Sequence, residues 1–195
     1  AIALAKLPIK VYGLIPATEN RIGATAYVPE DIITMFDGTT VEITNTDAEG
    51  RLILADALSY AKKFKPELVI DMATLTGAAI VAVGSDNTAV LGTQSEEIEK
   101  MKACGFNVWE RLIELPLWED FASQLKSPVA DLKTSGSRYG GTITAAMFLK
   151  HFTDYPWIHL DIAGPAFTEK CDSYRGQGGT SVPTRMLFKY FTKMI

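Results

Sequence analysis

Short apolar runs alternate along this chain with stretches whose apolar residues return at helical spacing, and no other feature restricts the fold as much. Thr40 to Thr44 (T-V-E-I-T) alternates apolar and polar residues, while Glu67 to Ala73 (E-L-V-I-D-M-A), Thr88 to Leu91 and Trp157 to Ile162 (W-I-H-L-D-I) are nearly continuous apolar runs. Each reads as a strand. Between them, Arg51 to Phe64 offers Leu54, Ala57, Leu58, Ala61 and Phe64 to one helical face, and Lys65-Pro66 stops it. Thr76 to Val83 reads as a small-residue helix, and Ser95 opens another with Glu96 and Glu97 in its first turn. Trp109 to Leu125 reads as a helix broken at Pro116, followed by a short extended piece, Ala130 to Lys133. Thr142 to Phe152 and Val182 to Met194 read as the last two helices. Near the start, Ala1 to Leu7 reads as the last turns of a helix stopped by Pro8, Ile9 to Ile15 as a strand, and Pro16 to Thr25 as a loop carrying Glu19, Asn20 and Arg21.

This alternation predicts an α/β fold: a mixed, largely parallel β-sheet flanked by helices on both faces, in three layers. Ligands of such sheets gather at the carboxyl ends of the strands. Asp47, Glu49, Thr74 and Ala163 would emerge there, from three separate strands.

A length of 195 residues predicts one globular domain. Net charge is −4 and no basic run exceeds Lys62-Lys63, so nothing marks a nucleic-acid interface. Cys104 and Cys171 fit neither a metal knuckle nor a disulfide framework, which favours a reducing compartment. No apolar run approaches the ~20 residues that cross a bilayer, so the expectation is a soluble, cytoplasmic protein with no membrane partner. Because the chain opens on Ala1 inside a helix-like stretch, its start reads as a cut through a larger domain.

The chemistry concentrates in N-T-D-A-E-G-R-L, Asn45 to Leu52. If the backbone there is extended, a period of two sends Asp47, Glu49 and Arg51 to one side. Such a group either pairs internally and caps the next helix, or holds divalent cations through the two carboxylates with Arg51 presenting a cation to an anion beside them. Two carboxylates do not complete a metal site. The two histidines add little: His159 lies in an apolar strand, as a core histidine would, and His151 sits at a solvated helix end. Asp71 and Asp161, each within an apolar strand, suit structural hydrogen bonding better than direct ligation.

The octapeptide resembles the signature of the leucyl aminopeptidases, the cytosol aminopeptidase family. It is joined in order by I-P-A-T-E-N (Ile15 to Asn20), L-A-D-A-L-S-Y-A (Leu54 to Ala61), D-M-A-T-L-T-G-A (Asp71 to Ala78), A-D-L-K-T-S-G and G-T-I-T-A-A-M-F-L within Ala130 to Leu149, and W-I-H-L-D-I-A-G-P-A (Trp157 to Ala166). The resemblance implies a two-metal enzyme that removes the N-terminal residue from peptides, with zinc, manganese or magnesium ions. It implies Asp47 and Glu49 as metal ligands, Glu49 bridging the ions, and Arg51 as the catalytic residue that holds a bicarbonate-like anion. It also implies Thr74, Leu75 and Gly77 as the wall of the substrate cleft, and Ala163 and Ala166 as the floor of the pocket for the first side chain.

The family's remaining ligands, a Lys and two Asp, and a catalytic Lys belong to segments resembling K-G-x-T-F-D-S-G-G and M-K-x-D-M-x-G-A-A. Neither occurs here. The resemblance therefore implies that residues 1–195 are the carboxyl-terminal part of the catalytic domain, within a homo-oligomer that is a hexamer in the intact protein. The expectation is that these residues alone are inactive and bind metal weakly. The competing expectation is a truncated or degenerate relative serving as a non-catalytic structural or binding subunit. Gly178 to Arg185 (G-G-T-S-V-P-T-R) departs from the family's usual Gly-Val-Arg before the last helix.

Overall fold

The computed structural model describes residues 1–19, 21–172 and 174–194, so Asn20 of the first loop lies outside the described residues. In chain order the elements are β1 (Ile32–Thr34), β2 (Thr40–Glu42), α1 (Glu49–Ala61), β3 (Val69–Ala73), α2 (Gly77–Val83), β4 (Thr88–Gly92), α3 (Ser95–Val108), β5 (Leu112–Glu114), β6 (Leu132–Lys133), α4 (Gly141–His151), β7 (Trp157–Asp161), β8 (Phe167–Thr168), β9 (Gly178–Gly179) and α5 (Thr184–Thr192). The strands form three sheets, ordered β1-β2-β6, β3-β7-β4-β5 and β8-β9. The α/β class holds, and the sheets are mixed as expected, with parallel and antiparallel pairs both present. β2–β6 and β4–β5 are parallel, whereas β1–β2, β4–β7 and β8–β9 are antiparallel.

Where length suggests one domain, the chain forms two compact units, residues 14–70 with 116–157, and residues 1–13 with 71–115 and 158–195. Each unit is discontinuous, so no linker marks a boundary in the sequence.

In the unit holding β1, β2 and β6, the hairpin turns on Asp37-Gly38. Gly38 has φ 94°, open to a residue without Cβ, and Asp37 Oδ1 accepts from Thr39 N at 3.0 Å. β6 is fastened to β2 from both ends: Asp131 accepts from Thr40 N at 2.8 Å, and Thr134 N donates to Glu42 O at 2.9 Å. α1 packs against α4. Leu52, Ala55 and Leu58 of α1 and Ala145, Phe148 and Leu149 of α4 are buried, at roughly 1.5–3 kcal/mol for each large side chain. The helix of α1 ends before Lys65, left-handed at φ 47° and followed by Pro66.

In the other unit, β4 and β7 are buried almost throughout, which explains their unbroken apolar runs. The expected helix from Trp109 does not form. Trp109 adopts φ 59° and ends α3, and Leu112–Glu114 then pairs with Thr88–Val90. The later residues, Glu119–Leu125, form a 3-10 segment instead. Helical spacing over Trp109 to Leu125 could not reveal the open edge of β4, and that edge decides the conformation. Two N-terminal expectations also change. Ala1 to Leu7 makes hydrogen-bonded turns rather than regular helix, with Lys6 at φ 52°, and residues 9–15 form no strand, leaving Val11, Tyr12 and Ile15 exposed. Strand propensity in that stretch finds no paired neighbour among the described residues.

α3 packs against α5, and Tyr190, 1% exposed, donates its hydroxyl to Glu97 Oε2 at 2.5 Å. Lys100 and the Tyr190 hydroxyl hold the Glu97 carboxyl below its usual range against an opposing effect of burial. Burial and Glu97 raise the Tyr190 phenol well above its usual range. A depressed Glu97 stabilises the fold above its unfolded value near 4.5 and loses that stabilisation as the pH falls. A raised Tyr190 stabilises below its unfolded value near 10 and loses it as the pH rises. Denaturant titrations across pH are therefore expected to show stability sloping down on both sides. Glu97→Gln should flatten the acid slope, and an unchanged acid slope would contradict the assignment. No helix of the described residues is long and apolar enough to cross a membrane.

Candidate active site

Asn45 sits extended at φ −149°, ψ 121°, and its side chain accepts from Asp47 N at 3.0 Å. That bond starts a 3-10 turn over Thr46–Ala48, and α1 follows directly from Glu49. The octapeptide is thus a helix entry, not an extended strand end, which overturns the period-two placement of Asp47, Glu49 and Arg51. Residues two apart on a helix diverge by about 200° and those four apart share a face. The three side chains consequently differ in surroundings. Asp47 is exposed, whereas Glu49 is partly buried with Oε2 enclosed and no hydrogen-bond partner for it among the described residues. Arg51 is 9% exposed and donates Nη1 to the Thr134 carbonyl at 2.7 Å.

An enclosed carboxylate oxygen without a donor is costly unless something cationic meets it. Glu49 therefore fits a hard divalent cation, and the exposed Asp47 is a second carboxylate two residues before it. The field of Glu49 reaches Tyr27, whose phenol is raised above its usual range first by burial and then by that carboxylate. Among the described residues, no group of three or more His, Cys, Asp and Glu is arranged to hold a metal ion. Asp47 and Glu49 are thus two carboxylates at one helix entry, short of a complete cation site.

The second set of residues occupies the connections leaving β3 and β7. Val69 N donates to Pro156 O and Ile162 N to Ala73 O, both at 2.9 Å, so these strands start and end together. Thr74 is exposed and Leu75 half-buried. Thr76 caps α2 by accepting from Ala79 N at 3.1 Å. Gly77 is open, with nothing within 4 Å of where a Cβ would sit. Ala163 and Ala166 are half-buried in the turn after β7, where Ala166 N donates to Ile162 O at 3.1 Å. Asp161 Oδ1 accepts from both Leu75 N at 3.1 Å and Ala163 N at 3.2 Å, which brings the two connections together.

Asp47, Glu49 and Arg51 thus share one helix entry, and Thr74, Leu75, Gly77, Ala163 and Ala166 share two neighbouring connections. The expected common edge of one sheet is corrected: β2, which leads into the octapeptide, belongs to a different sheet from β3 and β7. His159 is a core histidine, fully buried with Nδ1 2.5 Å from Asp71 Oδ1. Thr134 lies outside the expected site residues. It is fully buried, its carbonyl takes Arg51 and its hydroxyl accepts from Thr44 N at 2.9 Å. The segment A-D-L-K-T-S-G was the available signal, but nothing in it says which residue meets the guanidinium.

Comparison with known proteins gives a consistent result. The family described as "Cytosol aminopeptidase family, catalytic domain" matches residues 1–188. A probable cytosol aminopeptidase of Geobacter sp. (strain M21) is 50% identical over 99% of this chain and 40% of its own length. One from Geobacter sulfurreducens is 51% identical over 97% of this chain and 38% of its own. The chain thus spans about two fifths of these curated relatives. Among solved structures, a mutant of tomato leucine aminopeptidase superimposes with TM-score 0.85 at 38% identity, covering 91% of this chain and 34% of that one. The bottromycin maturation enzyme BotP in complex with Mn gives TM-score 0.80 at 37% identity, over 85% of this chain and 38% of the other.

Proposed function

The chain belongs to the cytosol aminopeptidase family, and from that premise we propose that it contributes one side of a two-metal site that hydrolyses the N-terminal residue from peptides in the cytosol. The observation that carries this reading is Glu49 Oε2, enclosed without a hydrogen-bond partner among the described residues at the entry of α1, two residues after Asp47. The manganese complex of BotP supports a divalent ion of that type. Asp47 and Glu49 would hold the ions, which when bound supply a Lewis acid and a water made acidic enough to attack at neutral pH.

The chain's own residues do the rest by position. Glu49 places a carboxylate at the helix entry, where the α1 dipole favours an acidic group. Arg51, held at Nη1 by Thr134, keeps its guanidinium fixed and buried, suited to a bicarbonate-like anion that accepts a proton. Thr74, Leu75 and the open Gly77 would line the cleft for a peptide backbone, and Ala163 and Ala166 would form the floor for the first side chain.

The test uses Mn²⁺ as a paramagnetic probe of the 195-residue chain in solution. Selective broadening of the amide resonances of residues 47–50 is expected at submillimolar to millimolar Mn²⁺, the weak range set by two carboxylates alone. Glu49→Gln should remove it. Broadening spread evenly over surface carboxylates, or none near residue 49, would overturn the assignment.

A further inference from the structure

We infer that Asp161 is a positioning residue that fixes the substrate-facing connection Thr74–Gly77 against the turn at Ala163. This rests on reading Thr74, Leu75 and Gly77 as the cleft wall. Asp161 is fully buried at the carboxyl end of β7. Its Oδ1 accepts from three backbone amides, Leu75 N at 3.1 Å, Thr76 N at 3.4 Å and Ala163 N at 3.2 Å. Its Oδ2 accepts from the Thr76 hydroxyl at 2.7 Å. The same hydroxyl oxygen accepts from Ala79 N at 3.1 Å, so one carboxylate is linked through Thr76 to the first turn of α2.

A buried carboxylate is tolerated when several donors converge on it, and four do here. The arrangement has one orientation in which all four are satisfied, so the loop carrying Leu75 has little freedom. The same connection after β7 also closes on the far end of α2. A Cβ added at Gly164 would lie 2.8 Å from the Gly84 carbonyl, and Gly84 is the residue that ends α2. Both ends of α2 are therefore set by the segment that carries Ala163. Small displacements of a substrate-positioning loop cost binding steeply, so the carboxylate acts on peptide binding without touching the peptide.

Asp161→Asn keeps one acceptor for the amides but presents an NH₂ to the Thr76 hydroxyl, whose proton loses its acceptor. Amide hydrogen exchange of the 195-residue chain is expected to rise about 10- to 100-fold at Leu75, Thr76 and Ala163, with amides of α3 and α5 unchanged. In the metal-loaded aminopeptidase, KM for a leucyl peptide should rise about tenfold while kcat stays within about threefold. A merely structural role would move stability without that split. If Asp161→Asn fails to fold, Thr76→Val removes the same hydroxyl link from the other side and should give the same local exchange, and Thr76→Ser should restore it. Unchanged exchange at Leu75 and Ala163 in these variants overturns the role of Asp161. Raised local exchange with unchanged KM also overturns the inference, and places the failure in the reading of these residues as the cleft wall.

Discussion

If the proposed two-metal reading holds, Glu49→Gln in a metal-loaded aminopeptidase carrying this segment is expected to lower kcat/KM for a leucyl peptide by about 10³-fold or more, with little change in the fold. The substitution keeps the size of the side chain and removes only its charge. In the chain by itself, Glu49 Oε2 is enclosed and takes no hydrogen bond among the described residues, so no structural partner is lost. Removing a buried charge of that kind leaves stability the same or slightly higher. A capping carboxylate would behave in the opposite way, since its loss would destabilise α1 by about 1 kcal/mol and leave the chemistry intact. Denaturant unfolding and steady-state kinetics of the one variant therefore separate the two readings of the octapeptide. An activity within tenfold of the parent, accompanied by a weakened fold, would remove Glu49 from the metal site.

How far the sequence could reach depended on whether the deciding interaction was local. The stop of α1 at Lys65-Pro66 and the acidic first turn of α3 at Glu96 and Glu97 are set by residues within a turn of one another, and these features were legible. Trp109 to Leu125 was not, because its conformation follows from the free edge of β4 rather than from its own spacing. The same division runs through the site. Asp47, Glu49 and Arg51 were legible as chemistry, but their relative directions were not. A carboxamide at Asn45, bonded to Asp47 N, replaces an extended backbone with a 3-10 turn. Thr134 meets Arg51 from 83 positions away, and no local pattern announces such a pairing. Asp161 was legible as a hydrogen-bonding carboxylate, while its four donors lie in the connections on either side of it in space.

Glu110→Ala is expected to destabilise the unit containing α3 and α5 by about 2–4 kcal/mol. Glu110 is 4% exposed, and its carboxylate accepts from Arg185 Nε at 2.9 Å and from Met186 N at 2.7 Å. α5 begins after Pro183, which offers no side-chain cap, so this distant carboxylate satisfies an amide of its first turn. The negative charge also faces the positive end of the helix dipole. Arg185 is 43% exposed and regains water when its partner is removed, so most of the loss comes from the cap and the buried amide, not from the ion pair. Hydrogen exchange should therefore increase along α5, including Leu187 and Tyr190, more than along α1 or α4. Glu110→Gln keeps an acceptor for Met186 N and should recover about half of the loss. An Ala variant within 1 kcal/mol of the parent would mean that water caps α5 as well as Glu110 does, and that Tyr190 and its apolar neighbours alone hold the helix in place.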